Sequence, residues 1–502
     1  MSSPIPPTGD NSNPVSSVAG RATRGTLYSV AASALTLSFG LLRTILLLYF
    51  LLPDHFGVAT QALFFLHLVG LTRMPGLDRA FVHYQNADNT VFSTYFTMRM
   101  GLLLFSILLG VALVPLIAPF YPDMPLLAPV LITFLAADLI AGLAAVQETM
   151  LNKELNFRPL AFANVISSIT MTIVAPLLAW QGWGVWSLVF EPISGQIARV
   201  IVFWLASKRF RPTLVWDWNI ARWFWSFGLK NWGNLNLIFL LNRFDDFWIG
   251  TALGKTSLGY YSRAYEFANY PRRMVANPLL AVFFPVFAHL QNAREPLSKA
   301  FFRSTSIIIR VGFWLSLILM LVAPEFILLL GEKWRPMQLT FQLMIIYTAL
   351  DPIGLAAANL VLAVGQPGKL LRVRIIQAII FIPAVILLSM WMGIAGVALA
   401  ANLMALAGAV LLFRQARAYV DFSMRRLWLW PTVGFALTAS SVLLLNPFWS
   451  VLNVFAVLLG KMVLITLLFG GLLAIMEKEQ LHMVWQMARG MMKERFPGTA
   501  SR

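Results

Sequence analysis

The 502-residue chain contains no cysteine, which excludes disulfide staples, thiolate metal sites and cysteine nucleophiles. Charge is scarce as well: Asp, Glu, Lys and Arg make up 12% of the residues, about half the share in soluble domains. The shortage is mainly of acid, with 21 Asp and Glu against 38 Lys and Arg and a formal net charge of +17. The five histidines, His55, His67, His83, His289 and His482, show no metal-ligand spacing. No polar stretch is long enough for a soluble catalytic domain. The phosphate-loop pattern GxxxxGK[ST] is missing too, so ATP hydrolysis by that motif is excluded.

What fills the sequence instead is apolar. Hydrophobic residues reach 59% and the mean hydropathy is +0.74. Apolar stretches of membrane-spanning length recur from Thr26 to Met476, separated by short polar breaks. A helix of roughly 20 such residues crosses the hydrocarbon core because it satisfies all its backbone N–H and C=O groups internally. The pattern predicts an all-α polytopic membrane protein of about fourteen transmembrane helices.

The basic residues gather in alternate breaks. One set holds Arg21 and Arg24; Lys153 and Arg158; Lys208, Arg209 and Arg211; Arg294, Lys299 and Arg303; Lys369, Arg372 and Arg374; and Arg414, Arg417, Arg425 and Arg426. The opposite breaks hold little beyond Lys255, Lys333 and Arg335. Lys and Arg are retained on the cytoplasmic side. The first set and both termini are therefore expected there, with the protein multi-pass in the cell inner membrane. Membrane topology thus accounts for the net charge, and no nucleic-acid partner is expected.

Three sequence pairs recur at similar offsets and in the same order. Leu52-Pro53-Asp54-His55-Phe56-Gly57 corresponds to the segment from Leu253 to Gly259, and Ala118-Pro119 to Ala323-Pro324. Gly182-Trp183-Gly184-Val185 corresponds to the segment from Gly393 to Val397. Their agreement argues for a duplicated six-helix unit in one orientation, the parallel-repeat plan. The expected organisation is a disordered cytoplasmic tail (1–25), a first six-helix lobe (26–206) and an interfacial linker (207–227). A second lobe (228–414), two further helices (428–476) and a cytoplasmic amphipathic tail (477–502) follow. The linker rests on Trp216, Trp218, Trp223 and Trp225 around Arg222, since Trp favours the headgroup level. The tail rests on Leu481, Val484, Trp485, Ala488 and Met492 at helical spacing with bases nearby.

The segment from Thr251 to Pro271, Thr-Ala-Leu-Gly-Lys-Thr-Ser-Leu-Gly-Tyr-Tyr-Ser-Arg-Ala-Tyr-Glu-Phe-Ala-Asn-Tyr-Pro, resembles the signature of the Wzx-type oligosaccharide flippases. Phe284-Pro285 followed by His289-Leu290-Gln291 matches the end of that signature, and the segments at Leu52–Gly57 and Gly182–Trp186 resemble two more landmarks. The similarity is closest to the branch associated with exopolysaccharide export. It implies the multidrug/oligosaccharidyl-lipid/polysaccharide superfamily, with two six-helix lobes around a cavity working by alternating access. The implied cargo is a glycan on polyprenyl diphosphate, moved between leaflets for exopolysaccharide or surface polysaccharide assembly. Membrane lipids, a polysaccharide polymerase and its assembly machinery are the implied partners. The segment from Met74 to Gln85 departs from the family, which more often shows an acidic residue before a Gly-Leu-Gly turn there. That loop is expected to be reshaped. Three other readings stand beside this one: a multidrug or cation exporter of the same superfamily, a peptidoglycan-precursor flippase, and a membrane glycosyltransferase or ligase. The last is disfavoured because such enzymes usually carry a large polar loop, so the chain is not expected to be an enzyme.

A charge inside a span costs roughly 2.5–3.5 kcal/mol on insertion scales, so it faces a cavity or a partner. The apolar runs contain Arg43, Arg99, Asp138, Glu148, Glu191, Arg199, Arg243, Asp245, Asp246, Arg263, Glu266, Arg272, Arg273, Arg310, Asp351 and Lys461. Arg43, Arg243, Arg263, Arg272 and Arg273 are the substrate-binding candidates. Prolines at Pro271, Pro278 and Pro285 should bend the eighth span beside Arg272 and Arg273. Two guanidinium groups presented to a wet cavity suit a diphosphate; the alternative is pairing of one with Glu266 and snorkelling of the other. Arg243 and Asp246, and Arg263 and Glu266, stand three apart and can pair on one helix face. That spacing fits either a cavity-lining cluster or a self-neutralised pair. Asp351-Pro352 breaks the tenth span, either as a kink or as an opening for a polar ligand. No cofactor or metal is expected. Coupling to H+ or Na+ needs a carboxylate, and Glu148, Glu191, Asp246, Glu266 and Asp351 are the coupling or gating candidates.

Overall fold

The computed structural model describes residues 14–74, 76–84, 88–154, 156–206, 215–449 and 452–477, with side chains from Ala32 onward apart from 230, 231 and 233–235. The described residues form helices and connecting turns. The first half contributes α1 (Pro14–Phe50), α2 (Pro53–Gly70), α3 (Leu77–His83), α4 (Asn89–Ile117), α5 (Leu127–Lys153), α6 (Phe157–Trp180) and α7 (Val185–Ala206). Next come α8 (Trp218–Trp248), α9 (Gly254–Ala268), α10 (Asn277–His289), α11 (Arg294–Leu330) and α12 (Gln338–Ala363). The chain continues through α13 (Pro367–Met392), α14 (Ile394–Ala416), α15 (Met424–Leu444), α16 (Asn446–Trp449) and α17 (Val454–Met476). Twelve helical segments are long and apolar enough to cross a membrane. The two remaining expected spans are α8 and the run from α9 to α10. Both have crossing length, and their Arg, Asp and Glu residues lower their apolarity.

Some expected boundaries move. α1 begins at Pro14, so Pro14–Gly25 of the expected disordered tail is helical. The physical reason is local: Pro14 is tolerated in a first helical turn, and no other proline intervenes before Pro53. Of the described part of the expected linker, 215–227, residues 218–227 form the first turns of α8 instead of a separate interfacial segment. No Gly or Pro interrupts the chain there, so the helix has no cause to stop. Ala118-Pro119 opens a 3-10 turn after α4, whereas Ala323-Pro324 stays inside α11. Residues 1–13, 207–214 and 478–502 lie outside the described residues, including the amphipathic helix expected in the C-terminal tail.

The chain divides into two compact units: Met1–Leu51 with Ala62–Asn236, and Leu52–Gln61 with Leu237–Arg502. In the first unit, Ser168 and Thr172 of α6 donate to the carbonyls of Thr36 and Phe39 on α1, at 3.3 and 3.2 Å. The segment that departs from the family becomes α3. Met74 enters it with φ 51°, and Tyr95 and Phe224 close over Leu77 and Phe81.

In the second unit, α10 to α15 share a core around Phe287, Phe301, Ile309 and Leu360. α17 is fastened to α11 by ion pairs at both ends of the contact. Lys461 Nζ meets Glu325 Oε1 at 2.6 Å, and Arg310 grips Glu477 through two bonds of 2.7 Å. Near Gly57 and Gly259 two turns close on each other. An added Cβ at Gly57 would lie 1.8 Å from the Lys255 carbonyl oxygen, and one at Gly259 would lie 1.9 Å from that of Pro53. Asp54 closes this clasp, accepting from Thr256 at 2.6 Å and standing 3.6 Å from Lys255. Only residues without a side chain allow so close an approach of two backbones.

Candidate functional site

The intramembrane charges do not line open space singly; the fold pairs them. Of the sixteen expected inside spans, all but Asp245 and Arg273 are in ion pairs. Two clusters result, one in each unit.

The first unit encloses a cavity of about 320 Å³ among α2, α3, α4, α5 and α7. Arg73, in a 3-10 turn after α2, reaches Asp138 of α5 at 2.5 Å and donates through Nε to Ser106 Oγ at 2.9 Å. Arg99 of α4 binds Asp78 of α3, which also accepts from Tyr95 at 2.6 Å. Arg199 of α7 donates to Asn164 and stands 3.7 Å from Glu148 of α5. Three guanidinium groups thus face three carboxylates. Gln196, one turn before Arg199, also faces the cavity, with Leu103, Ala141 and Ala145 supplying apolar wall. Elsewhere in this unit Arg43 of α1 meets Glu191 of α7 at 2.8 Å, so that expected binding arginine and that expected coupling carboxylate hold each other.

The second unit gathers Arg243, Asp245 and Asp246 at the end of α8. Arg243 binds Asp246 at 2.9 Å. Asp245 has no cation within ion-pair distance among the described residues. Instead it accepts from Tyr261 at 2.6 Å and from the Asp246 backbone N–H at 3.0 Å. Arg263 pairs with Glu266 on the same face of α9 and lies over the Phe56 ring, 4.6 Å from its centre. The expected bend falls at a single π turn, Arg272–Ala276, directly after Pro271. Proline removes one N–H from the ladder, and the wider turn re-aims the side chains that follow; such turns cluster at functional sites. Arg272 points to Asp351 of α12 at 2.7 Å. Arg273 is exposed and has no carboxylate partner among the described residues. Glu266 is therefore not the partner of either arginine. No group of three or more His, Asp or Glu among the described residues could hold a metal ion.

Sequence reasoning did not single out Arg73, Asp78 or Tyr261. Arg73 and Asp78 stand in the polar break after the second span and resemble loop charges; only the folding of that break into α3 turns them inward. Tyr261 lies within the Thr251–Pro271 segment that carries the family resemblance, on a Gly- and Tyr-rich helix whose spacing is the one available signal.

Long apolar helices whose interior charges are paired define a polytopic membrane protein. The chain matches the family described as polysaccharide biosynthesis protein over residues 46–339, and it belongs to that family. It is 25% identical over 395 residues to the lipopolysaccharide biosynthesis protein WzxC of Escherichia coli K12, covering 75% of this chain and 76% of WzxC. It is 27% identical over 329 residues to the succinoglycan biosynthesis transport protein ExoT of Rhizobium meliloti, covering 62% of this chain and 63% of ExoT. Among solved structures, the lipid II flippase MurJ in an inward closed conformation shares the fold. Its TM-score is 0.72 at 15% identity, over 91% of this chain and 100% of that one. The resemblance to polysaccharide-export proteins is thus matched by the family, and the likeness to MurJ shows the fold.

Proposed function

We propose that this chain flips polyprenyl-diphosphate-linked oligosaccharide repeat units across the inner membrane by alternating access, for exopolysaccharide or surface polysaccharide assembly. The observation that carries this reading is the family match over residues 46–339, together with relatives named for lipopolysaccharide biosynthesis and succinoglycan transport. The chain acts without catalysis and stands beside a polysaccharide polymerase. Both termini are cytoplasmic. The charge pairing suits a protein that moves a charged cargo. Paired groups keep the empty spans affordable in lipid, and a diphosphate can draw a guanidinium away from its carboxylate by bidentate bonds. Arg273 needs no such exchange, and Arg272 is the first to be recruited. A carboxylate released by that exchange takes up a proton or Na+, which couples transport to an ion gradient; Asp351 is the one placed to do so. The cation-exporter reading wants an acidic cavity, and the charge-balanced cavity of the first unit does not favour it.

Deletion of the gene in its host, with polymer measured outside and linked repeat unit inside, tests the reading. Loss of polymer with accumulation of the linked unit, rescued by the wild type, is expected. Arg273→Ala should slow polymer export roughly ten- to hundredfold, the loss of a charged hydrogen-bonded contact of about 1.5–3 kcal/mol. Unchanged polymer and linked unit in the deletion strain, with no second flippase present, would sink the proposal.

A further inference from the structure

We propose that the cavity of the first unit is a sugar subsite, which holds one monosaccharide residue of the cargo by its hydroxyl groups. This rests on the glycan reading above. The volume, about 320 Å³, lies at the small end of ligand pockets and suits a single ring rather than a whole repeat unit. The balance of charge argues for the ligand class. Three guanidinium groups against three carboxylates offer neither the excess of positive charge that a diphosphate wants nor the excess of negative charge that a cationic drug wants. They do offer many donors and many acceptors on one wall, and a hydroxyl is both at once.

The wall is also unevenly committed. Arg73 is held at 2.5 Å by Asp138 and also binds Ser106, and Asp78 binds both Arg99 and Tyr95. Those groups form a rigid frame. Glu148, by contrast, stands 3.7 Å from Arg199, beyond ordinary hydrogen-bond length, while Arg199 donates to Asn164. Glu148 therefore has acceptor capacity facing the cavity. Gln196, on the same face of α7 as Arg199, adds an amide NH2 that donates and a carbonyl that accepts beside it. Leu103, Ala141 and Ala145 supply an apolar floor on which the C–H face of a pyranose can rest. A site built to bond hydroxyls rejects analogues lacking them, because its own polar groups would be left unpaired. The subsite therefore contributes to the choice of glycan.

The test uses the full chain purified in detergent and the free monosaccharides released by acid hydrolysis of the host's exported polymer. Saturation transfer from protein to sugar, read by NMR, should appear for at least one of them. It should fall roughly tenfold in Glu148→Gln/Gln196→Leu, which removes the charged acceptor and the amide from the cavity wall. It should fall equally in Ala145→Leu, which fills the cavity without touching a charge, and should persist in Gly312→Ala, whose added Cβ meets nothing within 4 Å. Thermal melting of each variant separates lost binding from lost folding. Absence of transfer with the wild type, or transfer as strong as the wild type's in both cavity variants, would overturn the subsite. The same variants are assayed for rescue of polymer export. A wild type that rescues export yet binds no sugar removes the subsite and keeps the flippase; a wild type that restores nothing to a polymer-deficient strain removes the flippase reading itself.

Discussion

At the scale of single residues, the interior is governed by the cost of leaving a charge alone. Arg310 and Glu477 are both buried, and two bonds of 2.7 Å join them. Removing one partner of such a pair strands the other without water, at a cost of about 3–5 kcal/mol. Glu477→Ala should therefore lower the thermal unfolding midpoint in detergent clearly. Asp421→Ala is the contrasting case. Its carboxylate meets Arg294 through bonds of 2.9 and 2.8 Å, but both side chains are exposed, and solvent screens the pair. Arg294 holds the Asp421 carboxyl below its ordinary range by hydrogen bonds and charge. Any stability from this pair is thus present near neutrality and lost on acidification. No shift in the midpoint at neutral pH is expected for Asp421→Ala, and a shift as large as that of Glu477→Ala would refute the argument. The identities of the intramembrane charges were legible in the sequence. So were the pairs Arg243–Asp246 and Arg263–Glu266, because i,i+3 spacing is a property of one helix. The partners of Arg43, Arg272 and Arg310 were not, because nothing local to those residues names a residue on another helix.

At the scale of elements, the turns decide how helices meet. Gly182 and Gly184 join α6 to α7 with φ of 84° and 55°, and Gly393 joins α13 to α14 with φ of 57°. Each is a left-handed conformation that favours glycine, which explains why the sequence shows almost no loop there and why these two joints recur in the internal repeat. The repeat was legible for the same reason: positions that only glycine can fill leave a mark in the sequence. The path of α8 was less legible, since a Trp-rich stretch fits an interfacial linker and a helix start equally well. The clasp at Gly57 and Gly259 gives the test at this scale. Each Cβ would enter a backbone carbonyl rather than a flexible side chain, so neither contact can relax cheaply. Gly57→Ala and Gly259→Ala should each destabilise by roughly 1–3 kcal/mol, the range for overpacking, and should impair polymer export. Gly101→Ala and Gly312→Ala meet nothing within 4 Å. In a helix interior Ala is favoured over Gly by up to about 1 kcal/mol, so these two should be neutral or stabilising. Equal effects of all four changes on the melting midpoint would mean the clasp is not a close contact.

At the scale of the whole molecule, topology turns on two charged helical runs. Large apolar side chains such as Phe120, Leu205 and Trp391 stand exposed, as lipid-facing residues do, and twelve helical segments satisfy the apolar criterion for crossing. Twelve and fourteen are both even, so terminus placement alone cannot decide between them. The stretch between α8 and α9 can. α8 has 31 residues, roughly 46 Å of helix at 1.5 Å per residue, which exceeds the hydrocarbon thickness. Its Arg243 and Asp246 cancel each other, and Arg263 with Glu266 does the same on α9. Pairing reduces the insertion cost of about 2.5–3.5 kcal/mol per isolated charge. We therefore expect both runs to cross, which places Ala252 outside the cell membrane and Asn292 inside it. The chain has no cysteine of its own, so single substitutions can be labelled without background. A membrane-impermeant maleimide on cells with a permeable outer layer should react with Ala252→Cys and Arg335→Cys. Asn292→Cys and Ala418→Cys should react only after the inner membrane is opened. If Ala252→Cys instead behaves like Asn292→Cys while Arg335→Cys still labels from outside, the two charged runs stay on the cytoplasmic side and the count falls to twelve. The paired charges of α8 and α9 would then sit outside the bilayer, and their pairing would no longer be explained by the cost of lipid.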